Sequence, residues 1–478
     1  MCRSIAEGGR RCPCEETTRR RARQNAAYHR KKAQKTDVPT PPAADATGVS
    51  GSQDTGGGAA PGTPEHVAER VRAAQELLDQ TDNSPMVETN TSDGFSRTTD
   101  HGLRTEQAVR EAGEAVHLRA EAIAAEQKKA LDQKYGSEEE ACEQLDREFD
   151  EAISRTKAIK QDLNERTDEL LDQGKTRDEV QSELRPYFEE STEALEQAKQ
   201  VLIRRKKMTS EYASMWSQAH REAVAEQRAL GPTSPLPFED RSSKTALAVL
   251  DKAHAYYPSE WLEVERNPHC EDQLSLESGK TVTASGQLPL RVQTVSKDAR
   301  AYYGHRKVVL ARVPDDPSRI EYAPGSHSVL KISKLDAPTG TQGVSVALHE
   351  YGHRTEVMHP QVNQVCQTFL ARRTTTSGDR HSLTGYTASN VSDRAMATEA
   401  EFQRNRRREW VRPDDFVDQY IGKHYGTDSG HSEVFSMGME SLFSGTHGGL
   451  RGSDGYKKDA EHQNLILGIL ASVKGRKA

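Results

Sequence analysis

Apolar positions in the first half of the chain recur at helical spacing. Between about residues 103 and 229, Leu145, Phe149 and Ile153 lie four residues apart, and Leu163 and Leu170 lie seven apart, on an otherwise charged surface. A single apolar stripe of this kind is typical of amphipathic helices that pack along one face. The pattern therefore predicts helix through most of this segment.

Residues that start and stop helices divide the segment into three. The first helix is built from strong helix formers and ends at Gly136, a residue that favours helix C-termini. Ser137 with Glu140, and Thr176 with Glu179, have the spacing of capping boxes, in which two side chains satisfy the first free backbone amides. Two further helices are expected to begin at these positions.

Residues 103–230 are therefore predicted to form a helical hairpin or coiled-coil stalk. Such helices could associate with a second copy of the chain through their apolar stripe. The heptads are irregular, however, so a lone charged helical spacer is the alternative.

The segments before this helical region are polar and of unusual composition. Residues 36–64 form a linker rich in Pro, Gly, Ala and Thr, which cannot build a packed core. Residues 1–35 hold 11 Lys and Arg against three Glu, a net charge of +8, which leaves −15 for the remainder. We expect residues 1–65 to be a disordered basic tail and linker. Residues 1–35 are expected to bind nucleic acid or an acidic partner, with a merely solvated tail as the alternative. Residues 66–102 are expected to form a short helix and a polar linker.

The pattern changes after residue 241. An amphipathic helix that ends before Pro258 is followed by short β-like runs at 290–295, 307–313, 319–323 and 328–333, and then by a second helix that contains "ALHEYGHRTE". Residues 242–478 are thus expected to be an α+β domain in which a small sheet precedes one helix of special composition.

The overall composition limits the classes of protein to which the chain can belong. Only 34% of the residues are hydrophobic, 29% are charged and the mean hydropathy is −0.84, which favours solvated helices around one compact domain. The absence of a long apolar run or an amino-terminal apolar core predicts no membrane span, no classical signal peptide, and a cytoplasmic or virion-associated protein. Six cysteines at scattered positions are not a disulfide framework and are expected to be reduced; Cys2, Cys12 and Cys14 are a weaker candidate for a metal clip.

The chemistry-bearing motif is His349-Glu350-x-x-His353. Two histidines four residues apart on a helix are separated by about 400°, so both imidazoles project from one face and can reach one Zn²⁺. Glu350 lies about 100° from His349 and is placed to take a proton from the water that zinc activates. Gly352 is unfavourable within a helix, which suggests that other atoms approach it closely.

A catalytic zinc needs a third protein ligand. Glu433 is favoured, because Ser432 can cap a helix on which Glu433 and Glu440 share a face. His359 has the spacing of a metzincin ligand, but Glu356 occupies the position of the glycine turn which that class requires, and a continued helix would turn His359 away. His359 and Glu440 remain the alternatives.

The motifs "HEYGH" at 349–353, "YIGKHYG" at 420–426 and "EVFSMGMESLF" at 433–443 resemble those of gluzincin metallopeptidases of the lethal-factor type. They are also similar to the HExxH domains of actinobacterial and phage head-associated proteins. The resemblance covers about residues 242–478 and implies a zincin-like fold. It implies that His349, His353 and Glu433 hold zinc, that Glu350 is the general base, and that Tyr425 donates to the developing oxyanion.

The expected function is a zinc-dependent endopeptidase that acts on protein or peptide substrates, in a phage-associated or toxin-like protein. Lethal-factor-type enzymes carry an acidic residue four positions after the glutamate ligand, where this chain has Met437. Glu440 is expected to take the role of orienting a ligand histidine instead. The rival hypothesis is a phage head or assembly protein whose HExxH domain binds metal without proteolysis.

Overall fold

The computed structural model describes residues 59–81, 84–89, 96–239, 242–275, 281–295, 301–307, 310–313, 316–333, 341–376, 379–381, 383–387, 390–396, 409–414, 416, 418–425, 432–444 and 459–475. All of them belong to one compact unit, Gly58–Ala478. The basic tail at 1–35 and Cys2, Cys12 and Cys14 lie outside the described residues. The described chain is mostly helical, with small mixed sheets.

Four helices make up most of the amino-terminal half: α1 (Pro64–Leu78), α2 (Asp100–Tyr135), α3 (Glu138–Asp172) and α4 (Arg177–Ala225). A two-stranded ribbon of β1 (Val87–Thr89) and β2 (Ser96–Thr98) connects the first two. Gly136 follows α2 with φ 84°, a conformation that glycine adopts without a Cβ penalty. Thr176 and Glu179 form the predicted capping box at the start of α4.

Helices α3 and α4 form an antiparallel hairpin. Ion pairs join Arg155 to Glu190, and Arg204 to Glu148, along its length. Small side chains lie between the two helices in the middle of the hairpin, and a separate apolar cluster of Leu170, Val180 and Leu184 closes its turn. The hairpin therefore has its own narrow packing layer over much of its length.

One large hydrophobic core runs from α1 to the end of the described chain. Helix α10 (Ala460–Ser472) lies directly on α2, and two glycines make this contact possible. A Cβ on Gly113 would lie 1.6 Å from the Asn464 carbonyl oxygen, and one on Gly468 would lie 1.8 Å from that of Val109. The predicted stalk and the predicted carboxy-terminal domain thus share one core, because the apolar helix α10 of the domain packs on α2 of the stalk.

Two small sheets lie in the middle of the chain. One has the order β3 (His269–Ser275), β4 (Thr281–Gln287), β8 (Asp316–Tyr322), β7 (Leu310–Val313), and the other β5 (Leu290–Val295), β9 (His327–Ser333), β6 (Tyr302–Lys307). Strand β5 runs parallel to β9, and β6 runs antiparallel to it. The predicted run at 307–313 is divided between β6 and β7, which belong to different sheets. The polar strands β3 and β4 were not expected, because their sequences carry no strong apolar alternation.

Helix α7 (Thr341–Met358) contains the HExxH motif and follows β9. Before the sheets come α5 (Lys244–His254), α6 (Ser259–Leu262) and a 3₁₀ turn (Glu263–Arg266). Arg354 anchors α7 in this layer: it is fully buried, donates to Glu265 at 2.6 Å and also donates to the Ser328 hydroxyl at 2.6 Å. Such a buried ion pair with its hydrogen bonds fixes the rotation of α7 about its axis.

The elements after α7 bring a second helix against it. Their order is α8 (Pro360–Arg373), β10 (Thr375–Thr376), β11 (Asp379–Arg380), β12 (Leu383–Thr387), β13 (Asn390–Met396), β14 (Glu409–Val411), a 3₁₀ turn (Gln419–Gly422), α9 (Glu433–Ser444) and α10. Helix α9 packs on α7 and on the end of α4, where the Ser217 hydroxyl donates to the Phe443 carbonyl at 3.1 Å.

Candidate metal centre

The contact between α7 and α9 is unusually close at Gly352. A Cβ at this position would lie 2.8 Å from the Cα of Ser436 and 3.2 Å from its Cβ. Real side chains do not tolerate the first distance, so only glycine lets the two helix backbones approach this far. The close approach brings the carboxylates of α9 within reach of the histidines of α7.

Three side chains meet at this contact with their ligating atoms turned toward one another. The Oε2 atom of Glu433 lies 3.2 Å from His349 Nε2 and 3.4 Å from His353 Nε2. The two imidazole rings are nearly perpendicular, with centroids 4.9 Å apart. All three ligating atoms lie within 4.8 Å of one another, so the group can hold a metal ion. Two imidazoles and one carboxylate match the donor set of catalytic zinc sites.

A second carboxylate stands behind each histidine. Glu440 Oε2 lies 3.0 Å from His349 Nδ1, and the Ser345 hydroxyl donates to the other Glu440 oxygen at 2.6 Å. On the opposite side, Glu356 Oε2 lies 3.9 Å from His353 Nδ1. The hydrogen bond between Glu440 and His349 Nδ1 fixes the ring tautomer that leaves Nε2 free to bind metal. At 3.9 Å, Glu356 acts on His353 through its charge. Glu440 thus has the orienting position expected for it.

Sequence reasoning did not find the role of Glu356, which entered only as an obstacle to a glycine turn. Glu356 is almost fully buried and accepts hydrogen bonds from the Ser432 amide at 2.9 Å and its hydroxyl at 2.8 Å. It therefore ties the start of α9 to α7. The available signal was its position three residues after His353, which places a carboxylate on the same helical face.

The electrostatics of the three candidate ligands are strongly coupled. Burial by itself would raise the pKa of Glu433, but the contacts with His353 and His349 outweigh it and hold that pKa well below its usual range. Burial opposes protonation of the histidines, yet the contacts with carboxylates raise the pKa of His349 well above its ordinary value and that of His353 to about 9. Without a metal ion, the site is an ionised carboxylate between protonated imidazoles.

Glu350 lies within electrostatic range of His349 and His353 and also reaches strand β6. It is buried, and the backbone amide of Tyr303 in β6 donates to it. Burial raises the pKa of Glu350, and the positive charges of His349 and His353 offset only part of that rise. A carboxylate with a raised pKa is a stronger base than an exposed one.

Two residues from the segment before α9 reach the site. The Tyr425 hydroxyl donates to Glu433 Oε1, the oxygen turned away from the histidines. Lys423 Nζ lies 3.4 Å from the same oxygen and 4.4 Å above the Tyr425 ring. Sequence reasoning singled out Tyr425 but not Lys423, although the lysine stands in the same "YIGKHYG" motif. Both side chains bring hydrogen-bond donors to the edge of the metal centre.

His359 does not join the group. Helix α7 ends at Met358, and His359 lies between α7 and α8, where its ring packs 5.3 Å from that of Trp261. Its backbone amide continues the helical pattern by donating to Thr355 at 2.8 Å. The buried ring is held in the core by this contact and is not among the grouped candidate ligands.

The chain matches no protein-family model, no curated protein and no solved structure. No helix in the described part of the chain is both long and apolar enough to cross a membrane. Cys142, Cys270 and Cys366 are buried and form no disulfide within the described part of the chain.

Proposed function

We propose that the chain is a zinc-dependent endopeptidase with a zincin-like carboxy-terminal domain. The observation that carries the proposal is the convergence of His349, His353 and Glu433 from two helices, with a carboxylate behind each histidine. A purely structural site needs no buried base beside it. Here Glu350 occupies that place, which favours catalysis over structural metal binding.

His349, His353 and Glu433 would hold the ion, and Zn²⁺ when bound would act as a Lewis acid toward water and the scissile carbonyl. Glu350 takes a proton from the attacking water and returns it to the leaving amine. Its burial keeps the Glu350 carboxylate away from bulk solvent and next to strand β6. Tyr425, whose hydroxyl is a hydrogen-bond donor at the edge of the site, stabilises the oxyanion that forms on the carbonyl.

The substrate class follows from the position of β6. Among the described strands, β6 pairs with β9 alone, and the amide of Tyr303 within it contacts Glu350. An extended peptide can add as a further strand to such an edge through main-chain hydrogen bonds, which require no particular side chains. This arrangement would carry a peptide bond past Glu350 and suits a protein or peptide substrate.

The decisive experiment separates catalysis from metal binding. Glu350→Gln should keep one zinc per chain, measured by mass spectrometry of the metal content, and should lose cleavage of casein or of the chain itself. Glu321→Gln, an exposed carboxylate on β8, is the matched control and should keep both. A wild-type protein that binds zinc but cleaves neither substrate would support the rival hypothesis of an assembly protein.

A paired experiment tests the third ligand. Glu433→Ala should lose zinc in chelator competition by more than the roughly 10–100-fold typical of residues behind the ligands. His359→Ala should keep zinc, because its ring packs on Trp261. If His359→Ala loses the ion and Glu433→Ala retains it, the assignment of the ligand is wrong.

A further inference from the structure

Helix α4 exposes a row of large apolar side chains. Phe188, Leu195 and Leu202 are spaced by seven residues and are 49%, 45% and 47% exposed. Ile203 is adjacent and 50% exposed. A spacing of seven keeps side chains on one face of a helix over several turns. Exposed apolar residues in a row mark an interaction surface more often than isolated ones do.

The hairpin partner α3 does not cover this row. Helix α4 presents Ala194, Ala198 and Val201 to α3, and all three are buried. The charged residues Arg204 and Arg205 of α4 also turn toward α3 to form their ion pairs. The row at 188, 195 and 202 lies beside this packed face and remains open to solvent.

Charges beside the row are separated by sign. Glu189 and Glu196 flank its first half, and Lys199, Lys206 and Lys207 flank its second half. Arg185 lies on the same side of the helix about one turn before Phe188, outside the row. Glu196 and Lys199 pair at 3.2 Å where the two halves meet. Glu189, Lys206 and Lys207 are exposed, and no ion pair joins any of them to another residue in the described ranges. The surface is therefore polarised along the helix axis.

We propose that this face of α4 binds the same face of a second copy in antiparallel orientation. With Leu195 of each copy beside Leu202 of the other, a two-fold axis passes near Lys199 and the acidic half of each helix faces the basic half of its partner. A parallel pair would place like charges together, and a partner of a single charge would match only half of the surface. A second copy of the chain supplies oppositely charged side chains to both halves of the surface.

The predicted association is weak. Each copy contributes a little over four turns of helix and four large apolar side chains, which places the interface below the roughly 1,200 Å² typical of stable complexes. We therefore expect a monomer–dimer equilibrium in the micromolar range, visible by sedimentation equilibrium of the full chain. Leu195→Glu should weaken the dimer by about a hundredfold, because two leucines lose their burial in each dimer.

Charge reversal tests the orientation without touching the fold, because every altered side chain is exposed. One variant replaces Glu189 and Glu196 with Lys, and another replaces Lys199, Lys206 and Lys207 with Glu. Each alone should be monomeric, and an equimolar mixture should form a heterodimer. Three changes to Lys on the outer face of α3 (Glu151, Glu165 and Asp168) are the control and should leave the dimer unchanged.

Cross-linking with a short bis-maleimide gives an independent measure of orientation, in a chain with Cys2, Cys12 and Cys14 replaced by Ser. Lys199→Cys should cross-link to its own copy. Thr192→Cys should cross-link only to Lys206→Cys, because in the antiparallel pair residue 192 of each copy lies about 20 Å from its equivalent. Self-cross-linking of Thr192→Cys, or a wild-type chain that stays monomeric at high concentration, would overturn the proposal.

Discussion

Zinc binding should release protons even above neutral pH. In the metal-free centre, the carboxylates raise the pKa of His353 to about 9 and that of His349 well above its ordinary value, although burial acts against both shifts. A metal ion binds only neutral imidazole, so each histidine must lose its proton as the ion enters. Glu433 has a lowered pKa and is already ionised, so it contributes no proton.

The structure fixes the size of this effect. Two protons should leave for each zinc near pH 8, where both raised pKa values keep the histidines protonated, so the zinc affinity should rise about a hundredfold for each pH unit there. Histidines with their ordinary pKa of 6.5 would already be neutral at pH 8, and the affinity would then be almost independent of pH. The interval between about pH 7.5 and 8.5 distinguishes the two cases.

Calorimetric titration in buffers of different ionisation enthalpy counts the released protons directly, and chelator competition gives the slope of affinity against pH. Glu433→Gln should reduce proton release near pH 8, because the histidines lose the carboxylate that raises their pKa. His359→Ala should behave as the wild type. Zinc binding at pH 8 without proton release in the wild-type chain would refute the coupling deduced from these contacts.

Three further predictions concern residues around the site. Gly352→Ala gains about 1 kcal/mol of helix propensity but places a Cβ 2.8 Å from the Ser436 Cα. We expect denaturant unfolding to show a net destabilisation of about 1–2 kcal/mol, together with weaker zinc binding. An unchanged zinc affinity would show that the spacing between the two helices is not critical. Glu440→Gln should weaken zinc binding about 10–100-fold through His349, by chelator competition; an effect below twofold would exclude an orienting role. His254 is buried, and burial followed by the charge of Arg354 lowers its pKa from 6.5 to about 3. As the pH falls, the unfolded chain therefore takes up this proton before the folded chain does. The stability contributed by neutral His254 is complete above pH 6.5 and is lost as the pH falls toward 3, by roughly 3 kcal/mol near pH 4. The free energy of unfolding of metal-free His254→Phe should depend less on pH over this range, and an equal dependence would contradict the assignment.

The sequence alone determined the local features of this protein. The capping residues Ser137 and Thr176, the stop at Gly136 and the strands at 290–295 and 328–333 follow from interactions within a few residues, and the structure has them where the sequence places them. The pair His349 and His353 is of the same kind, because helical periodicity alone puts both rings on one face. Glu433 was a prediction from its place at the start of a later helix.

Only the tertiary structure decided which distant residues meet. Glu356 lies behind His353 and binds the start of α9, and Gly352 sets the distance between α7 and α9, but neither role has a periodic signature. The strands β3 and β4 are polar and are held by pairing across the sheet. Helix α10 buries its apolar surface on α2, more than 300 residues earlier in the chain. Periodicity reports only on which face of an element is apolar, whereas the partner for that face is chosen by packing the whole chain at once.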